Sequence, residues 1–317
     1  MIKPTITRHP HGIFAIDCEY VRPGLAAAHL VVEGGRAAFV DVGTTLSVPY
    51  LLAALAELGV AREAVDYVIL THVHLDHAGG AGALMQALPN AKAVLHPRGA
   101  PHLIDPEKLI AGSQLVYGDR FASLYGEIVP LAADRVIVTQ DLQRIALAGR
   151  TFELIHTPGH ALHHHCVVDL QHAGIFSGDT FGVSYREFDS ERGAFVIPAT
   201  TPTQFDPDQL IASIDRQLGY RPESVYLMHY SRVTGIERLG ESLKAAVREV
   251  AEIARRHATA ADPLAAMTRA MLDSWVRRAR EHRAPVSDEL AEELLRDDAE
   301  LNAQGLAVWL ERQKRAV

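Results

Sequence analysis

The chain is expected to fold as an α/β protein with a helical C-terminal part. Three features lead there. Short apolar stretches alternate with Gly- and Pro-containing turns, one such stretch runs into a histidine-rich loop and then a helical pattern, and the character changes after Gly235. Strands and helices alternating in this way build sheets with helices on their faces.

Ile13 to Tyr20 is an apolar stretch followed by the turn residues Pro23 and Gly24. His29–Glu33 and Ala37–Val42 flank Gly34-Gly35, a two-residue hairpin signal. Val48 to Leu58 carries apolar residues at helical spacing and stops at Gly59. Asp66–Leu70 is a short apolar strand that enters the run THVHLDHAGG; a helix over Gly80–Leu88 and a strand over Ala93–His96 follow. That order puts the loop at a strand's C-terminal end, where open α/β sheets hold ligands.

Farther on, Arg135–Thr139, Gln143–Leu147 and Thr151–His156 read as successive strands, and His165–Leu170 with Gly174–Ser177 as a hairpin. Asp206 and Pro207 form a cap and first-turn pair that opens a helix to Leu218, and Val225–Met228 is a strand ending at His229. Ile236–His257, Pro263–His282 and Ser287–Gln313 read as amphipathic helices fit to pack on the main body or on a partner. The expected division is a main domain over residues 1–235 and a helical extension over 236–317.

Composition narrows the function. The chain has 317 residues, 48% of them apolar, enough to bury a sizeable core. Its 39 acidic against 31 basic residues give a net charge of −8, which speaks against a nucleic-acid surface. The first residues lack a secretory pattern, and no apolar run reaches the ~20 residues that cross a bilayer. Two cysteines, Cys18 and Cys166, fit a reducing compartment. A cytoplasmic protein with no nucleic-acid or membrane partner is expected.

Seventeen histidines stand out, and three of them fall in His72-Val-His74-Leu-Asp76-His77. Folded as a turn, this segment presents imidazole and carboxylate groups to one or two points, the donor types that divalent transition metals prefer. The motif T-H-x-H-x-D-H after a strand resembles the signature of the metallo-β-lactamase superfamily. Four further motifs carry the resemblance in order: Asp41 with Gly43, Thr157-Pro158-Gly159-His160, Ser177-Gly178-Asp179, and His229 after the last strand. The resemblance implies a four-layer αββα sandwich over roughly residues 10–235, with the helical extension added.

It also implies a site. His72, His74 and His160 would bind one metal, Asp76, His77 and His229 a second, and Asp179 would bridge them. Two divalent ions, zinc first with iron or manganese as alternatives, would generate a bridging hydroxide near neutral pH and polarise a carbonyl oxygen. Asp76 is the candidate for proton transfer. Asp41 and His164 are read as residues that orient the ligands.

Departures from the family's subgroups narrow the activity. Asp179 stands where true β-lactamases carry Cys, and His74 where flavodiiron proteins carry Glu. The full ligand set favours a hydrolase of a small ester-type substrate, in a branch like glyoxalase II or the lactonases. Lactonases place a Tyr three residues after the bridging Asp; here that position is Gly182, and Tyr185 is the substitute. Arg232 is a candidate anion contact. The loop Phe195–Phe205 is expected to line the acyl side of the pocket. Alternatives are a mononuclear-iron persulfide dioxygenase and an effector protein that retains the metal site. The C-terminal helices would cap the pocket or form a homodimer interface.

Overall fold

A computed structural model describes residues 2–200 and 204–315. Two compact units interleave along the chain. The first comprises the chain up to His156 with His163–Gly178 and Val225–Arg232; the second comprises Thr157–Leu162, Asp179–Ser224 and the chain from Val233.

The first unit holds two sheets. One has strands β1 (Ile6–His9), β2 (Ile13–Asp17), β3 (Ala27–Glu33), β4 (Arg36–Val40), β5 (Val65–Ile69), β6 (Lys92–Leu95) and β7 (Val136–Val138), side by side in chain order. β1 to β4 run antiparallel, and β4 to β7 parallel. Connection length explains the change. Gly34 and Gly35, both at positive φ, close a two-residue hairpin between Glu33 and Arg36. Parallel neighbours need crossovers. These are supplied by α1 (Val48–Glu57), by α2 (Leu75–Ala78) with α3 (Ala81–Ala87), and by α4 (Ala100–Ile104), α5 (Glu107–Tyr117) and α6 (Phe121–Tyr125).

The other sheet has β8 (Gln143–Leu147), β9 (Arg150–His156), β10 (His165–Asp169), β11 (Gly174–Gly178), β12 (Ser224–Leu227) and β13 (Ser231–Val233), laid out in reverse chain order. Strand alternation builds both cores. Val31, Ala38, Val40, Ile69 and Val94 face Leu147, Phe152, Leu154, Val167 and Phe176 between the sheets. Their neighbours Leu30, Ala37, Phe39, Val68 and Leu95 point the other way, onto Leu51, Leu55, Leu84 and Met85 of α1 and α3. A one-residue slip would exchange these two sets. Most strands and helices expected here form within a residue or two, although β2 stops at Asp17, short of Tyr20; β1, β13, the short helix α2 within the histidine loop and the helices α4 to α6 are additional.

The second unit is helical: α7 (Pro207–Gly219), α8 (Ile236–His257), α9 (Pro263–Glu281) and α10 (Asp288–Arg315). Asp206 caps α7 by accepting the Gln209 amide, with Pro207 in the first turn. α9 begins the same way, with Asp262 capping the Ala265 amide. α10 packs along α9 and also reaches the chain after Asp179. Asn302 takes the Thr200 amide and accepts the Thr200 hydroxyl on its carbonyl, and Trp309 stands edge-on to Phe205. Of the loop expected to line a pocket, residues 201–203 lie outside the described residues.

Candidate metal centre

Strand β4 ends at Val40, and Asp41 follows in the left-handed region, φ 53°. This turn places its buried carboxylate under the loop that leaves β5. Oδ1 accepts the Thr71 amide at 2.8 Å, and Oδ2 accepts the Thr71 hydroxyl at 2.8 Å and His77 Nδ1 at 2.9 Å. The Thr71 hydroxyl proton is therefore committed, so Thr71 Oγ1 acts as acceptor toward His72 Nδ1 at 3.1 Å. Asp41 thus assigns the tautomer of two histidines: both carry their proton on Nδ1 and present the Nε2 lone pair. His72 Nε2 lies 2.9 Å from His74 Nδ1.

The same logic recurs at β12. His229 Nδ1 is 2.8 Å from the Leu25 carbonyl, which can only accept, so Nδ1 carries the proton and Nε2 the lone pair. It faces Asp76 Oδ2 at 3.2 Å, and His77 Nε2 lies 3.8 Å from that same oxygen. One donor atom from each of Asp76, His77 and His229 falls within 4.8 Å of the others. Lone pairs aimed at a carboxylate oxygen repel it unless a cation stands among them. The donor set fits a divalent ion.

In the second unit, His160 Nδ1 donates to the Ala199 carbonyl at 3.0 Å, and Nε2 faces Asp179 Oδ2 at 3.4 Å. Gly159 makes the turn possible. At φ 128°, it packs so closely on the first turn of α7 that a Cβ would lie 2.2 Å from the Leu210 amide nitrogen. The carbonyl of Gly159 accepts from Asp206, so the cap of α7 and the His160 turn support each other.

A family model described as Metallo-beta-lactamase superfamily matches residues 21–229, the span that carries every motif above. The chain belongs to the metallo-beta-lactamase superfamily. Within it, the chain is 29% identical over 222 residues to the metallo-beta-lactamase fold-containing protein ST1585 of Sulfurisphaera tokodaii, covering 69% of this chain and 77% of the relative. The crystal structure of ST1585 matches with a TM-score of 0.65 at 24% identity, over 94% of this chain and 99% of that one. The hydroxyacylglutathione hydrolase of Stenotrophomonas maltophilia is 30% identical over 151 residues, covering 48% of this chain and 44% of the relative. The acyl-coenzyme A thioesterase MBLAC2 of Gallus gallus is 30% identical over 176 residues, covering 53% and 62%. Less than two thirds of each of these two proteins is matched. The α/β metallo-beta-lactamase fold with a helical C-terminal part is therefore the one expected from the sequence.

The other residues singled out lie as follows in this superfamily member. His164 is buried, its ring 5.0 Å from that of His72, and Gly178 is pressed against it. A Cβ on Gly178, at φ 48°, would sit 2.5 Å from both His164 Nε2 and Thr71 Oγ1. Tyr185 is buried in the second unit, its hydroxyl donating to Asp298 Oδ2 at 2.9 Å. Arg232 lies beside His9 and Tyr226, where burial first and then its charge lower the His9 pKa. Two further histidines, His29 and His165, are buried, and desolvation pushes each down to about 3. No helix among the described residues is long and apolar enough to cross a membrane.

Proposed function

We propose that the chain is a dinuclear metal-dependent hydrolase that cleaves a small ester-type substrate: a lactone, thioester or ester. One observation carries the reading. His72, His77, His160 and His229 each have Nδ1 turned to a fixed acceptor, which leaves Nε2 as a lone pair for a cation. The motif order of the superfamily supports His72, His74 and His160 on one ion, Asp76, His77 and His229 on the other, and Asp179 as the shared ligand. Divalent ions held there supply Lewis acidity, polarising a carbonyl oxygen and lowering the pKa of water.

The chain's own residues supply the rest. Asp76 is the more open carboxylate, its side chain 22% exposed against 4% for Asp41 and 7% for Asp179, so it is the one placed to accept a proton and pass it to solvent. Asp41 holds the loop and the tautomers. The names of two relatives, a hydroxyacylglutathione hydrolase and an acyl-coenzyme A thioesterase, support ester-type chemistry. In this reading residues 1–235 are the catalytic domain and 236–317 an extension that caps the pocket or pairs two subunits, acting in the cytoplasm on a small molecule.

Elemental analysis of protein purified without chelator tests the metal assignment, followed by a panel of lactones, thioesters, esters and phosphodiesters. About two divalent ions per chain and chelator-sensitive cleavage of an ester-type member are expected. A single iron with oxygen uptake on a persulfide, or cleavage of phosphodiesters alone, would overturn the reading.

A further inference from the structure

β2 and β3 pair as far as Asp17 and Ala27, and the Cys18 amide still reaches the Ala26 carbonyl at 2.9 Å. Residues 19–25 then leave the ladder. Tyr20 stands in the cluster on Leu75 of the metal loop, and the Leu25 carbonyl meets His229, so this detour borders the site at both ends. It is strained. Glu19 and Val21 lie at φ 51° and 60°, and the Arg22 amide donates to the Tyr20 carbonyl at 2.6 Å, a γ-turn centred on Val21. Val21 is 59% exposed, so burial of its own side chain does not hold it there.

One carboxylate does. Asp17, buried at the end of β2, accepts the Glu19 amide on Oδ1 at 2.8 Å and the Gly24 amide on Oδ2 at 2.7 Å, which pins both ends of the detour. Oδ2 also accepts the Tyr230 hydroxyl at 3.1 Å, from 213 residues away. These bonds close a ring around a candidate ligand. Gly24 precedes Leu25, whose carbonyl accepts His229 Nδ1 at 2.8 Å, and Tyr230 follows His229. Asp17 therefore holds the chain on both sides of the hydrogen bond that sets the His229 tautomer. A short turn would join two antiparallel strands without strain. A strained path held by a buried charge is a cost met where function needs the chain to pass a given point, and that point is the Leu25 carbonyl.

We infer that Asp17 is a positioning residue of the second metal site: through Gly24 and Tyr230 it fixes the Leu25 carbonyl against His229, and so keeps the Nε2 lone pair turned toward Asp76. This role rests on the reading of His229 as a metal ligand and is independent of the substrate.

Stepwise competition of Co(II) against a chromogenic chelator, on the full-length protein stripped of metal, reads the binding constant of each ion, and His229→Ala identifies the one that belongs to its site. Tyr230→Phe removes one hydroxyl and keeps the ring. It should weaken that constant about three- to tenfold and leave the other within about twofold. Asp17→Ala should weaken the same constant about 10- to 100-fold, and Asp17→Asn, which keeps one acceptor oxygen, should fall between Asp17→Ala and the wild type. Added to His229→Ala, Tyr230→Phe should change nothing further. Thermal unfolding of the metal-free variants is the control. A lowered Tm with both constants unchanged, or lowered together, would make Asp17 a support of the fold and overturn its positioning role. Selective weakening in the Asp17 and Tyr230 variants with no ester cleaved would remove the hydrolase reading and leave the positioning role standing. Ester cleavage lost in His229→Ala, with wild-type constants in both Tyr230→Phe and Asp17→Ala, would remove the positioning role alone. No ion weakened by His229→Ala would overturn both.

Discussion

Asp41 Oδ2 lies 2.9 Å from His77 Nδ1, and both side chains are buried. The same carboxylate holds the Thr71 amide and hydroxyl, so one aspartate orients both ends of the histidine loop. Asp41→Asn tests that arrangement with little change of shape, since Asn also tolerates the left-handed backbone. Losing one acceptor should weaken metal binding about 10- to 100-fold. Competition against a chromogenic chelator reads the change; affinity equal to the wild type would show that Asp41 does not set the ligand.

Gly178→Ala should cost about 2 kcal/mol or more, because the new Cβ meets His164 and Thr71 at 2.5 Å and the φ of 48° disfavours a side chain. Denaturant unfolding of the metal-free protein measures this directly. A loss below about 0.5 kcal/mol would mean the end of β11 moves freely away from the histidine loop.

Acid should destabilise the protein through its buried histidines. His29 stands between the sheets against Phe176 and Tyr226, with no partner for Nε2 among the described residues. Its folded pKa, about 3, lies below the ordinary 6.5. Above pH 6.5 both states are neutral and the stability is fully present. As pH falls from 6.5 toward 3 the unfolded chain takes up the proton and the folded one does not, so stability drops with a slope approaching about 1.4 kcal/mol per pH unit. His29→Leu should make urea unfolding midpoints less dependent on pH between 6 and 4; an unchanged slope would place a polar partner or water at His29.

Tyr185→Phe separates a packing role from a substrate role. Its hydroxyl ties the chain after Asp179 to α10 through Asp298, a bond worth about 1 kcal/mol at a half-buried carboxylate. Thermal unfolding should register that loss, with KM and kcat on any cleaved ester unchanged. A lowered kcat/KM at wild-type stability would instead put Tyr185 in the substrate site.

Much of this protein is legible in its sequence. Residue alternation specifies the strands, helical spacing and the caps at Asp206 and Asp262 specify the helices, and the five motifs specify which side chains stand at strand ends. Each depends on residues close together in the chain. The helices α4 to α6 escaped because their pattern is weak: α5 buries none of its side chains, and Leu115 is 90% exposed. Only tertiary structure could decide the acceptors that fix the imidazoles. His77 is held by Asp41 from 36 residues away, His160 by Ala199 from 39, and His229 by Leu25 from 204. The same holds for the meeting of Tyr20 with Tyr125 across 105 residues beside Leu75. A hydrogen bond requires a few tenths of an ångström in distance and a narrow angle, and over such separations only the packed sheets and helices set both.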